Sequence, residues 1–342
     1  MDTNWSALLQ QLLDRQPLSA DQTQGLMQGW LQQAIAPELA AAILIALQAK
    51  GVTAIELATM AQVVSGMSEP VTCQFDRPLI DTCGTGGDGA HTFNISTATA
   101  FVVAAAGVPV AKHGGRSVSS KAGSADVLEC LGLNLGASYD KIYGALAATG
   151  ICFLFAPHWH PAMKAVAGLR RSLGVRTVFN LIGPLVNPLN PKFQVMGVYS
   201  SELVGLIAET LNLLGRDRAV VLHSREGMDE AGLAAPTDLA ILTGGNVGVE
   251  SLVPADLGLP WCGLDQLQGG DVIENARILA EVLQGRGTIA QTNVVALNSA
   301  IALWVSGRVD SWQAGLELAR TVLANGLPWQ KLTELKDFLA ES

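Results

Sequence analysis

Between Asp81 and Asp126 the chain concentrates residue types that together can hold a polyanion. A glycine-rich run, DTCGTGGDG (81–89), is followed by NIST (94–97), and KHGGRSVSSKAGSAD (112–126) begins fifteen residues later. Glycines let backbone amides turn towards a ligand, hydroxyls add directed donors, and Lys112, His113, Arg116 and Lys121 offset negative charge. Asn94, Ser96 and Thr97, with the first amides of a following helix, form one expected phosphate subsite; the ordinary alternative is a helix N-cap. The stretch from Lys112 to Ser120 forms a second, against the alternative of a solvated basic loop. A phosphorylated sugar is the ligand this mixture suits.

Asp229 and Glu230, in REGMDEAG, follow the apolar run AVVLH. Adjacent carboxylates are often plain loop charges. Magnesium, however, takes one or two carboxylates and completes its shell from phosphate and water, so beside a phosphate cradle this pair is the expected metal anchor. Ser96 is a further candidate ligand, as the hydroxyl of a P-loop is. Arg170 and Arg171 suit bidentate pairing with a substrate carboxylate, unless they are surface charges. His158 and His160 flank Trp159 at a metal-like spacing, but without a third ligand zinc is not expected. Gly84, Gly86 and Gly89 satisfy G-x-G-x-x-G, yet HTFN separates the turn from its helix and no acidic residue lies between Asp88 and Asp126. A nicotinamide site is therefore not expected, and a simple tight turn is the bland reading. No Ser-His-Asp set, reactive cysteine or P-loop is visible.

Two textures must position these residues. The first seventy residues read as amphipathic helices: Ser19 and Gln22 make a capping box, apolar positions recur at Leu39, Ile43 and Leu47 and from Ile55 to Val64, and Gly51 separates the two runs. From about residue 77, short apolar runs ending in glycine alternate with Ala-rich helical patterns: PLIDTCGTGG, GVPVAKHGG, GICFLFAPHWHP, FQVMGVYS, RAVVLHSREG and LAILTGG. That alternation predicts an α/β fold, a mainly parallel sheet flanked by helices, with ligands bound beyond the carboxyl ends of the strands. The expected organisation is a small all-helical domain over 1–72, joined by part of 165–190, and a larger α/β domain over 73–342. Pro161 suits the first position of a helix, and further helices are expected around 271–284, 291–305 and 310–324.

Composition supports a buried core and limits the partners. Of 342 residues, 49% are apolar and 15% charged, and the net charge is −9, which argues against broad binding to nucleic acid or an anionic membrane. Five scattered cysteines, an acidic start without a basic n-region, and no apolar stretch long enough to span a bilayer point to a cytoplasmic protein.

Taken together, DTCGTGGDG, NISTATA, KHGGRSVSSKAGSADVLE, HPAMKAVAGLRRSLGVRTVFNLIGPLVNP and GMDEAGLAAPT resemble, in order, the blocks of the anthranilate phosphoribosyltransferase family. The resemblance covers nearly the whole chain, including NSAIALWVSG near the end. It implies the two-domain architecture shared with nucleoside phosphorylases, a homodimer formed through the helical domains, and Mg2+-dependent transfer of a phosphoribosyl group to anthranilate in tryptophan synthesis. By position it places Gly84, Gly87, Asp88, Thr92, Asn94, Ile95, Ser96, Thr97, Lys112, His113, Gly114, Gly115, Arg116, Ser117, Val118, Ser119, Ser120 and Ser124 at phosphoribosyl pyrophosphate. Ser96, Asp229 and Glu230 hold magnesium on the same basis, while Arg170 faces the anthranilate carboxylate and Gly84, His113, Gly115, His160 and Gly183 border the aromatic substrate. Where the family reads HGNRS this chain has HGGRS, so Gly115 removes a side-chain contact to the acceptor. The alternatives implied by the same scaffold are a nucleoside phosphorylase, a paralogue with another aromatic acceptor, and a non-catalytic nucleic-acid-binding paralogue.

Overall fold

The computed structural model describes residues 4–71, 75–116 and 121–340. Four helices come first: α1 (Trp5–Leu13), α2 (Ala20–Leu31), α3 (Pro37–Lys50) and α4 (Ala54–Gly66). The expected capping box opens α2, with Ser19 Oγ accepting from Gln22 N at 3.2 Å and Gln22 Oε1 accepting from Ser19 N at 2.8 Å. Thr53 and Glu56 make a second one at the start of α4.

Strands and helices then alternate: β1 (Ile80–Gly84), α5 (Ile95–Ala105), β2 (Val110–Gly114), α6 (Ser124–Cys130), α7 (Tyr139–Thr149) and β3 (Ile151–Phe155). A short helical excursion follows, through α8 (Ala156–Trp159), a 3-10 turn (Pro161–Val166), α9 (Ala167–Leu173) and α10 (Phe179–Ile182). The chain returns as β4 (Phe193–Gly197), α11 (Leu203–Leu213), β5 (Arg218–Ser224), β6 (Thr237–Thr243) and β7 (Asn246–Leu252). It closes with α12 (Val272–Leu283), α13 (Ile289–Val305), α14 (Trp312–Ala324) and α15 (Leu327–Ala340).

The strands form one sheet in the order β3-β2-β1-β4-β5-β6-β7, parallel from β3 through β5. The mainly parallel expectation therefore holds, with a difference at one edge: β6 is antiparallel and pairs with β7, a strand the apolar runs did not disclose. Gly244 and Gly245 join the two with φ of +56° and +81°, the pair of left-handed residues that a tight hairpin needs. Helix α15 was equally hidden, because Pro328 reads as a breaker although its place in the first turn costs no backbone hydrogen bond.

Alternate residues of the central strands face opposite ways. Val195, Val220 and Leu222 join the cluster that contains α5 and α12–α15. Met196, Ala219 and Val221 join α11, α1–α4 and the excursion residues Val166, Phe179 and Ile182. Beyond β1 the chain runs outward through β2 and β3, then crosses back to lay β4 on the other side of β1. Such a reversal in strand order opens a crevice at the carboxyl ends, and Gly84 of β1 pairs there with Gly197 of β4.

Candidate active site

A cavity of about 610 Å³ occupies that crevice, lined from one side by the loops after β1, β2 and β5 and from the other by residues 156–186. Its first wall is backbone. After β1, Gly86 and Gly87 adopt φ of +63° and +75°, so the turn presents its amides and carbonyls edge-on, a conformation that side-chain-bearing residues resist. Thr92 lines the cavity and pairs its backbone with Gln268 in an isolated antiparallel bridge. Asn94 stands at the N-terminus of α5 without capping it; its Nδ2 instead donates to Ala122 O at 3.3 Å. No side chain caps the first turn of α5, whose Ile95 and Thr97 amides donate to Phe93 O at 2.7 Å and Asn94 O at 3.1 Å, and Ser96 and Thr97 line the cavity.

The acidic pair meets this wall through unusually close packing. Asp229 Oδ2 accepts from Gly86 N at 2.7 Å, and Asp229 N donates to Asp88 Oδ2 at 3.1 Å. Asp88, Asp229 and Glu230 offer carboxylate oxygens that all lie within 4.8 Å of one another. A Cβ on Gly84 would overlap the Asp229 carboxylate, and one on Gly197 would overlap the Asp229 backbone carbonyl. Behind them, the buried Asn298 of α13 accepts from Ala231 N at 3.0 Å and donates to Ala231 O at 2.9 Å, gripping the residue next to the pair. Burial first, and Asp88 second, raise the pKa of Asp229 to about 6, while burial and then Asp229 push Glu230 well above the usual carboxylate range. Glu230 Oε2 has no hydrogen-bond partner among the described residues. Three acids this close repel one another unless a cation shares them, so the donor set fits a hard divalent ion.

Lys112 is buried beside this group; its Nζ donates to Thr82 O at 2.7 Å, and burial lowers its pKa against the opposing pull of Asp81. Asp81 is itself fully buried under the floor, accepting from Asn187 Nδ2 at 2.9 Å and His113 N at 3.3 Å. A Cβ on Gly114 would strike Ser124 Oγ, which brings the first residue of α6 to the cavity edge.

The opposite wall is made of separate side chains. Arg170 on α9 lines the cavity, is half-buried, and forms no side-chain hydrogen bond or ion pair among the described residues. Desolvation alone pulls its pKa down, an unfavourable setting that an anionic ligand group would relieve. The rings of His113 and His160 meet edge to face at 5.2 Å. His113 Nδ1 is 3.2 Å from Gly183 O, and its Nε2 is buried without a partner, as are both nitrogens of His160. Burial lowers their pKa values to about 3 and about 4, so both are neutral near pH 7, and the second imidazole adds to the effect on His113. Asn94 Oδ1 and Thr97 Oγ1 are likewise buried and unpaired. Orphaned polar atoms gathered around one cavity mark a place where a ligand completes the hydrogen bonding.

The expected residues thus meet in one cavity with few departures. Ile95 does not line it: its side chain is wholly in the core, and its amide already donates to Phe93 O at 2.7 Å. Arg116 lines the rim of the cavity with its guanidinium engaged by Asp126 and Glu129, each at 2.8 Å. Ser117, Val118, Ser119 and Ser120 lie outside the described residues. His158 is exposed on α8 while His160 is buried, which rules out their acting as a pair. Sequence reasoning missed Asp88 as a third member of the acidic cluster, as well as Gly197 and Asn298. Asp88 follows a glycine run and announces itself; the other two act through contacts more than thirty residues away.

With this geometry in place, comparison with known proteins is specific. Residues 76–328 match the α/β domain of a glycosyl transferase family and residues 6–65 match the helical bundle domain of the same family. Fold and cavity together define a glycosyl transferase of that two-domain class. The anthranilate phosphoribosyltransferase of Synechococcus sp. (strain JA-3-3Ab) is 60% identical over 98% of both chains, and that of Synechocystis sp. (strain ATCC 27184 / PCC 6803 / Kazusa) is 56% identical over 98% of this chain and 97% of its own. The crystal structure of the Thermus thermophilus enzyme superimposes with a TM-score of 0.90 at 38% identity, covering 98% of this chain and 99% of that one. The Saccharomyces cerevisiae enzyme in complex with phosphoribosyl pyrophosphate and Mg gives 0.88 at 26% identity, covering 99% of both. This chain belongs to the anthranilate phosphoribosyltransferase family.

Proposed function

We propose that the chain transfers the phosphoribosyl group of phosphoribosyl pyrophosphate to the amine of anthranilate, as a step of tryptophan synthesis. The observation that carries this reading is one cavity holding both an acidic cluster fit for magnesium and, opposite it, an unpartnered arginine. In the reaction a bond forms between the amine nitrogen and the anomeric carbon while the carbon–oxygen bond to pyrophosphate breaks, its electron pair leaving with pyrophosphate. The N-terminal end of α5, with Asn94, Ser96 and Thr97, supplies donors to the departing group, and Gly84, Gly87, Thr92, Lys112 and Ser124 complete its surroundings. Asp229 and Glu230, with Asp88 beside them and Ser96 in the same cavity, would hold Mg2+, which when bound offsets charge on the pyrophosphate. Arg170 pairs with the anthranilate carboxylate, and neutral His113 and His160, with Gly115 and Gly183, flank the ring. No enzyme nucleophile is required.

The proposed division of labour runs along the chain: 1–72, with part of 165–190, forms the helical domain that meets a second copy in a homodimer, and 73–342 binds phosphoribosyl pyrophosphate. No helix among the described residues is long and apolar enough to cross a membrane, which is compatible with the cytoplasmic setting proposed. A nucleic-acid-binding paralogue would have no use for an intact acidic cluster, and the net charge of −9 opposes it. The test is pyrophosphate release from phosphoribosyl pyrophosphate with a panel of aromatic amino acids, with and without Mg2+. Release that depends on both anthranilate and Mg2+ is expected; release with another acceptor alone, or none, overturns the assignment.

A further inference from the structure

We infer that Arg176 is a positioning residue, a latch by which the excursion that carries Arg170 holds the glycine-rich turn across the cavity mouth. This rests on the functional reading above. Arg176 follows α9 closely: Gly174 N donates to Arg170 O at 3.2 Å to end the helix, and two residues later the guanidinium reaches the other wall. There Nη1 donates to Gly87 O at 2.6 Å, while the guanidinium lies over the ring of Tyr199, 4.4 Å from its centroid. Tyr199 is tied to the same turn, because its amide donates to Thr85 Oγ1 at 3.1 Å and Thr85 N donates to Gly197 O at 3.0 Å. Three separate stretches of chain therefore meet at one exposed arginine.

The physical need for such a latch lies in the turn. Gly86 and Gly87 both have positive φ and no side chains, so their backbone is soft and ordering it costs conformational entropy on ligand binding. On the side of the acidic pair, Gly86 N donates to Asp229 Oδ2 and Asp229 N donates to Asp88 Oδ2. Arg176 is the tie from the opposite side. Planar, permanently charged and stacked on an aromatic face, its guanidinium holds a carbonyl with less freedom to lose than an ammonium has. Held in this way, the turn meets phosphoribosyl pyrophosphate already shaped, which lowers KM for that substrate without touching the reacting atoms.

The experiment compares the full-length wild type with Arg176→Ala, Arg176→Lys and Tyr199→Leu, measuring kcat, KM for each substrate, and melting temperature. Arg176→Ala is expected to raise KM for phosphoribosyl pyrophosphate about tenfold, the size of one lost charge-assisted hydrogen bond, with KM for anthranilate and the melting temperature nearly unchanged. Arg176→Lys should recover part of the loss, since an ammonium still donates to Gly87 O, and Tyr199→Leu should fall between. An unchanged KM for phosphoribosyl pyrophosphate, a change confined to anthranilate, or a uniform loss that follows a lowered melting temperature would overturn the latch. Wild-type turnover judges the functional reading separately: if the wild type releases no pyrophosphate, calorimetric titration of the same four proteins with phosphoribosyl pyrophosphate and Mg2+ decides on Arg176 alone.

Discussion

On the wall that carries the acidic cluster the glycine turn and Asp229 are fixed by contacts within the protein, whereas on the wall that carries Arg170 and His160 these side chains have no partners among the described residues. Asp229 is hemmed in by Gly84 and Gly197 and tied to Gly86 and Asp88. Among the described residues Arg170 and His160 have no such partners, and a Cβ on Gly183 would have open space beside it. A pyrophosphate is the same in every reaction of this type, so a rigid, crowded wall built from backbone serves it well. An acceptor is recognised by a few directed side chains, and a sparser wall allows these to vary. Substitutions should therefore be felt through the protein on the first wall and through the ligand on the second.

The sharpest test of that contrast is Asp229→Ala combined with Glu230→Ala. Turnover should fall by roughly three orders of magnitude or more while the melting temperature stays or rises, because removing mutually repelling buried acids relieves strain. Undiminished Mg2+-dependent turnover would break the metal assignment. Next come two glycines. Gly197→Ala places a methyl group on the Asp229 carbonyl and should cost roughly a hundredfold in kcat/KM, since small misplacements of positioning groups are that expensive. Gly183→Ala meets no atom of the described residues within 4 Å, so the melting temperature should not move and any change should appear in KM for anthranilate alone. If the two substitutions act alike, the walls are not built differently.

On the acceptor side, Arg170→Ala should raise KM for anthranilate about 10- to 100-fold, the worth of a charge-assisted pair, and leave KM for phosphoribosyl pyrophosphate in place. Equal changes in both constants would mean that Arg170 shapes the whole cavity. The smallest effect is expected from Gly115→Asn. Among the described residues the Ala156 methyl group, at 4.0 Å, is the one neighbour of the new Cβ, and the added side chain should lower KM for anthranilate about two- to tenfold through one hydrogen bond. A rise in KM would show that this chain has built its acceptor wall around the glycine.

Much of this was legible before any coordinates. Residue types reveal chemistry when it is local: the glycine turn, the NIST segment, the basic loop and the Asp229–Glu230 pair each lie within a few consecutive residues, and the alternation of apolar runs with helical patterns announces a parallel sheet. The type of Arg116 invites a phosphate, and only the structure adds that Asp126 and Glu129, ten and thirteen residues on, engage its charge at the cavity rim. Ile95 was carried along by its neighbours in the motif, although helical geometry turns it inward.

Amino-acid order by itself determined the fold class, the glycine- and hydroxyl-rich segments that line the cavity and the acidic pair, because backbone freedom, hydroxyl donors and charge are properties of single residues and short spacings. Only the tertiary structure decided that Asp88 joins Asp229 and Glu230, that Gly197 exists to let Asp229 approach, that Asn298 secures the neighbouring peptide, and that Arg176 reaches Gly87. Those relations arise where β1 and β4 lie side by side with more than a hundred residues of chain between them. Which distant atoms come within bonding distance depends on how strands register and helices pack, and no local pattern encodes that.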